Sequence, residues 1–117
     1  MHTYMLLLHE TPADAASVSA AEMKEIVARY KAWSQGLAQR GQLVGGEKLT
    51  DDGGRHLRLR QGAPLATDGP YAEAHDVVGG YFLVKAESDA AAQDLAQTCP
   101  HLVGTQWVEI RRVEVLG

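Results

Sequence analysis

The 117-residue chain contains a single cysteine, Cys99, which excludes an intramolecular disulfide and a cysteine-rich zinc site. It has no long apolar run. The stretch Met5 to Leu8 falls far short of the roughly 20 residues that a membrane-spanning helix needs. Positive charge is also scarce: eleven Lys and Arg face fifteen Asp and Glu, for a formal net charge of −4. Phosphate binding wants a basic field, so nucleic acid is not expected as a partner. The start of the chain shows no basic segment followed by an apolar one, and a cytoplasmic location without a leader is the expectation.

What is present suits one folded unit, a single domain over 1–117. Hydrophobic residues make up 45% of the chain. A protein of this mass should fold to about 6,200 Å² of surface from about 18,000 Å² unfolded, enough for one core. The apolar run Thr3 to His9 reads as a central strand. Ser19-Ala20-Ala21-Glu22 fits a capping box, and Met23, Ile26, Val27, Tyr30, Trp33 and Leu37 then recur at helical spacing until Gly41. A strand over 42–49 contains the pair Gly45-Gly46, a sign of a bulge or of close backbone approach. Turn residues Asp51 to Gly54 and Gln61 to Pro64 bracket an alternating strand, Arg55 to Arg60, making 47–67 a hairpin excursion. On that strand His56, Arg58 and Arg60 share one face and Leu57 and Leu59 the other, either a wet basic face or an anion-binding patch.

After an irregular stretch from Thr67 to Asp76, a strand from Val77 to Lys85 opens on Gly79-Gly80. Ser88 caps a second helix that places Ala92, Leu95, Ala96 and Cys99 on one face before Pro100. Gln106 to Val115 is the last strand. Apart from the hairpin, the order is βαββαβ, the split arrangement of ferredoxin-like α+β folds. Two helices cover one face of a four-stranded sheet, and the bare face must meet something apolar. A homodimer answers that need.

The densest polar stretch, Thr67 to Asp76, gathers Asp68, Tyr71, Glu73, His75 and Asp76. These are acid–base side chains in a loop entering a strand. Asp68-Gly69-Pro70 is equally a structural turn, in which Asp accepts backbone N–H groups and Pro fixes φ. His9 ends the first strand, where clefts form, and Asp68 or Glu73 could supply its carboxylate. His2, His56 and His101 read as surface positions. No histidine pair has metal-ligand spacing, so neither metal nor cofactor is expected.

Asp68-Gly69-Pro70-Tyr71-Ala72-Glu73 followed by Gly79-Gly80-Tyr81 resembles the DGPF branch of the YCII-related family, whose signature is Asp-Gly-Pro-Phe. Tyr4-Met5-Leu6-Leu7, Gly46-Glu47-Lys48-Leu49 and Cys99-Pro100 are similar in the same order, with Tyr71 replacing the usual phenylalanine. The resemblance implies a ferredoxin-like domain whose dimer packs its sheets into an α/β barrel around a cavity. In some relatives it implies a catalytic His–Asp pair. Those relatives carry the histidine midway along the first helix, where this chain has Arg29 or Tyr30, and no histidine occurs between His9 and His56. That mechanism is therefore not inherited residue by residue. The resemblance also suggests a genomic neighbourhood with sigma factors, for a branch mostly of unassigned function.

Three readings follow. The first is a dimeric module binding a small ligand near the DGPY loop through Asp68, Tyr71 and His9. The second is an acid–base lyase or isomerase using Asp68 or Glu73 with His9 or His75. The third is a regulatory interaction domain without a ligand.

Overall fold

A computed structural model of the chain describes residues 1–11, 18–68 and 76–117. Its elements are β1 (His2–Glu10), α1 (Ala20–Gln39), β2 (Leu43–Lys48), β3 (Arg55–Arg60), β4 (Ala63–Asp68), β5 (Val77–Ala86), α2 (Asp89–Ala96) and β6 (Trp107–Arg112). The fold is α+β, with two helices and antiparallel sheets, and the described residues form no closed barrel. One sheet has four strands in the order β2-β5-β1-β6; the other is the β3-β4 hairpin.

β1 sets the layers. Its alternation buries Tyr4, Leu6 and Leu8 and leaves Met5, Leu7 and His9 half-buried on the opposite face. Tyr4 and Leu6 join Val84 and Ala86 of β5, Leu37 of α1, and Ala92 and Ala96 of α2 in the core. Both helices thus lie on one face.

Local chemistry fixes the helix ends. The Ser19 hydroxyl accepts from the Glu22 N–H at 3.1 Å, and Ser88 accepts from Ala91 N–H at the same distance. Gly41, with φ of 70°, turns the chain out of α1 toward β2. The Tyr4 hydroxyl donates to Asp89 at 2.7 Å, tying the first turn of α2 to the central strand.

Two boundaries differ from the sequence reading. The hairpin turn is only Gln61-Gly62, both left-handed at φ of 53° and 81°, a geometry that matches strand twist. Ala63 and Pro64 already pair with Arg60 and Leu59, which an edge strand permits to proline. β6 ends at Arg112, opposite Tyr4, because β1 starts at His2 and offers little partner beyond; Val113 N–H makes one last bond to the Thr3 carbonyl.

The hairpin strands pack on each other and have at most marginal contact with other elements. Leu57 and Leu59 are 70% and 75% exposed on its outer face. The described residues include no helix long and apolar enough to cross a membrane.

Candidate functional site

α1 meets the sheet tightly only through its C-terminal half, where Trp33 and Leu37 pack on the core. Its N-terminal half stands over a floor of Gly46, Gly79 and Gly80, which carry no side chains to fill the gap. A cavity of about 500 Å³ results, walled by Met23, Ile26 and Tyr30 of the helix and by Leu8 and Phe82 of the sheet. That volume lies within the range of small-ligand sites.

Gly46 and Gly80 are required there. A Cβ on Gly46 would sit 2.7 Å from the Phe82 ring and 2.8 Å from the Tyr81 carbonyl, and one on Gly80 would sit 2.9 Å from the Glu47 carbonyl. A Cβ on Gly79 would run into the Glu10 carboxylate. The close backbone approach expected at Gly45-Gly46 holds at Gly46, whereas a Cβ on Gly45 would meet nothing within 4 Å.

One wall of the cavity is polar. The Tyr30 hydroxyl lies 2.7 Å from His101 Nδ1, and Gln106 Nε2 lies 3.1 Å from the same nitrogen. His101 Nε2 is 2.7 Å from the His9 carbonyl. A carbonyl only accepts, so Nε2 carries the hydrogen. An amide NH₂ only donates, so Nδ1 presents its lone pair, and the Tyr30 O–H donates to it. Burial pushes the Tyr30 phenol well above its ordinary value of 10, with Cys99 and Glu10 adding to the effect, so the hydrogen stays on oxygen.

His101 corrects an expectation. It was read as a surface residue, yet it is only 3% exposed. The segment after α2 turns back so that His101 reaches the His9 carbonyl, beside the register shift between Leu8 and His9. A β-bulge disturbs the ladder and leaves backbone groups for other partners. Nothing local in the run from Cys99 to Val103 announces this role.

His9 itself points the other way. Its ring stacks on Trp107 at 4.0 Å, and Nε2 donates to Glu109 Oε1 at 3.0 Å. Arg111 donates to the other Glu109 oxygen at 3.3 Å. The hydrogen bond from His9, then that from Arg111, holds the Glu109 carboxyl below its ordinary value of 4.5. His9 Nδ1 is buried and has no hydrogen-bond partner among the described residues. Glu109 was not singled out from the sequence, because its pairing with His9 exists only once β6 is registered against β1.

Of the other expected site residues, Asp68 ends β4, opposite Arg55 in the hairpin register. Tyr71, Glu73 and His75 lie outside the described residues. Asp76 accepts from Trp107 Nε1 at 3.1 Å, which puts the end of that loop beside the His9 pair. Among the described residues no three His, Cys, Asp or Glu side chains gather as metal ligands.

The cavity between a helix and an antiparallel sheet, with a polar pair on its wall, defines a small α+β domain built around a pocket. Residues 2–116 match the YCII-related domain, and the chain belongs to that family. The family's biochemical role is unassigned. No curated protein matches the chain.

Proposed function

We propose that this protein binds a small ligand in the cavity between α1 and the sheet, and that it does so as a homodimer. The observation that carries the reading is the 500 Å³ space over the glycine floor, apolar over most of its wall and polar at Tyr30 and His101. In the sequence five residues separate the DGPY segment from β5, whose Gly79 and Gly80 form that floor, so Asp68 and Tyr71 are included in the same proposal. His9 contributes through its main-chain carbonyl, which holds His101.

Dimerisation is supported by surface. The chain exposes 8166 Å², about 2,000 Å² more than expected for its mass. Its radius of gyration of 16.1 Å exceeds the roughly 13 Å of a compact chain of this length. A standard interface takes only about 800 Å² from each partner. The strand order β2-β5-β1-β6 supports the reading of a ferredoxin-like arrangement, and its helix-free face, with Met5, Leu7 and Leu83, is the surface that would close an α/β barrel between two copies. The lone, buried Cys99 suits a reducing cytoplasm.

Thermal-shift screening against small aromatic acids and lactones, followed by calorimetry, tests the ligand. A binder at 100 times its Kd stabilises the fold by about 2.7 kcal/mol. Absence of any binder, with the cavity filled by the protein's own side chains, overturns the reading. Sedimentation tests the dimer separately.

One observation favours a second reading, an acid–base lyase or isomerase: the His9–Glu109 pair at 3.0 Å. Here His9 is the base, Glu109 orients it, and Asp68, Glu73 or His75 completes the set. A substrate-dependent rate that survives His9→Asn removes this alternative.

A further inference from the structure

The cavity's polar wall has a fixed hydrogen-bond polarity. Nε2 of His101 donates to the His9 carbonyl, which leaves Nδ1 as the acceptor for the Tyr30 O–H and the Gln106 amide. A phenol has one hydrogen. With that hydrogen committed to His101 at 2.7 Å, the Tyr30 oxygen keeps only lone pairs for anything else.

The charged groups around the cavity do not alter this. Arg29, Lys31, Glu47, Lys48 and Asp51 line it but are exposed, so they stand in water at its mouth; Glu10, half-buried against Gly79, also lines it and as a carboxylate brings a second acceptor, not a donor. Tyr30 is half-buried and His101 fully buried, deeper along the wall and beside the apolar Leu8 and Phe82. A group desolvated there is poorly compensated by water, and an unmatched acceptor or donor costs more than at the mouth.

We propose that the cavity selects an apolar ligand bearing an O–H or N–H donor, an alcohol or phenol in the simplest case, with Tyr30 Oη as the acceptor that reads it and His101 as the residue that fixes the reading. An ether or ester of the same shape offers only acceptors to an oxygen that has no free hydrogen. This rests on the cavity being a ligand site and adds which chemistry it takes.

The test uses matched probes, 4-propylphenol and 4-propylanisole, titrated into the intact protein and followed by methyl NMR at Met23 and Ile26. The phenol should bind about tenfold tighter, the usual scale of one well-placed hydrogen bond in a desolvated site. In Tyr30→Phe, which keeps the apolar wall, the ratio should fall to within about twofold. Equal binding of the two probes by the wild type overturns the proposal whatever the variant does, and leaves the cavity reading standing. A tenfold preference retained in a folded Tyr30→Phe variant overturns the role of Tyr30. If neither probe moves the Met23 or Ile26 signals, the cavity reading falls and this proposal with it.

Discussion

Tyr30 and His101 stand 71 positions apart in the chain and 2.7 Å apart in the fold. The contact joins the middle of α1 to the segment after α2, and through Nε2 of the same ring to the main chain of β1. His101 is thus a three-way tie rather than a surface side chain. His101→Ala would leave the His9 carbonyl and the Tyr30 hydroxyl without partners and should cost about 3 kcal/mol in urea unfolding. Tyr30→Phe removes one hydrogen bond while Gln106 stays on Nδ1, so a loss of about 1 kcal/mol is expected.

The glycine floor predicts an unequal series. At Gly46 and Gly80 an added methyl meets main-chain carbonyls that belong to the ladder and cannot move alone. Gly46→Ala and Gly80→Ala should each destabilise by about 1–3 kcal/mol. At Gly79 the obstacle is the far end of Glu10, which can swing aside, so Gly79→Ala should cost clearly less. Three denaturation curves decide the order.

Much of this architecture was legible because local signals agreed with the fold. Ser19 and Ser88 cap the helices that periodicity outlines, and the alternation Tyr4, Leu6, Leu8 marks the core face of β1. Gly46, Gly79 and Gly80 announced close approach without saying that a cavity lay above them. The site was legible only in pieces. His9 stood out as a strand-end imidazole, but its carboxylate is Glu109, selected by the register Leu7↔Glu109 and His9↔Trp107 rather than by any spacing in sequence. Arg29 or Tyr30 was the residue expected at the helix position where relatives carry histidine. That an imidazole arrives there from His101 depends on how the segment after α2 turns back, a tertiary event with no local signature.

Acid stability follows from Glu109. Its carboxyl is held below the ordinary value of 4.5 in the folded protein, chiefly by the hydrogen bond from His9 and then by Arg111. A lowered folded value means the unfolded state binds the proton more readily. The contribution is therefore complete above the ordinary value and is lost as pH falls through the folded one. Glu109→Gln should lower the Tm slightly at neutral pH, where the contribution is complete, and the gap to the wild type should close as the pH falls below about 4.5, which flattens the acid limb. A variant whose acid limb matches the wild type would remove Glu109 from the explanation.

Cys99 supplies a probe of opening. It is buried beneath the end of α2, and burial pushes its thiol above the ordinary value of 9.0. The thiolate is the reactive form, so the native thiol should react with an aromatic disulfide reagent at least 100-fold more slowly than in urea. Tyr30→Phe and His101→Ala should quicken that reaction in the order of their stability losses, because the ring they disturb lies two residues further along. Rapid labelling of the native protein would contradict the buried position.

Two leucines separate what folds one chain from what would join two in the proposed dimer. Leu6 and Leu57 both sit in alternating strands, yet Leu6 is 0% exposed in the core and Leu57 is 70% exposed on a hairpin that no other element of the described residues covers. Leu6→Ala opens a cavity among Tyr4, Val84 and Leu37 and should cost about 2–5 kcal/mol at any protein concentration. Leu57→Ser with Leu59→Ser removes only the exposed cross-strand contacts with Ala66 and Pro64, so unfolding measured at high dilution should change little. A two-stranded hairpin is marginal alone, and its apolar face with Pro64 and Ala66 needs a surface to lie on. If that surface is the second copy, sedimentation of the double variant should show the dimer dissociating at least tenfold more readily than the wild type. An unchanged dissociation constant would mean that the hairpin takes no part in the interface, and would leave the helix-free face with Met5 and Leu7 to carry the dimer alone.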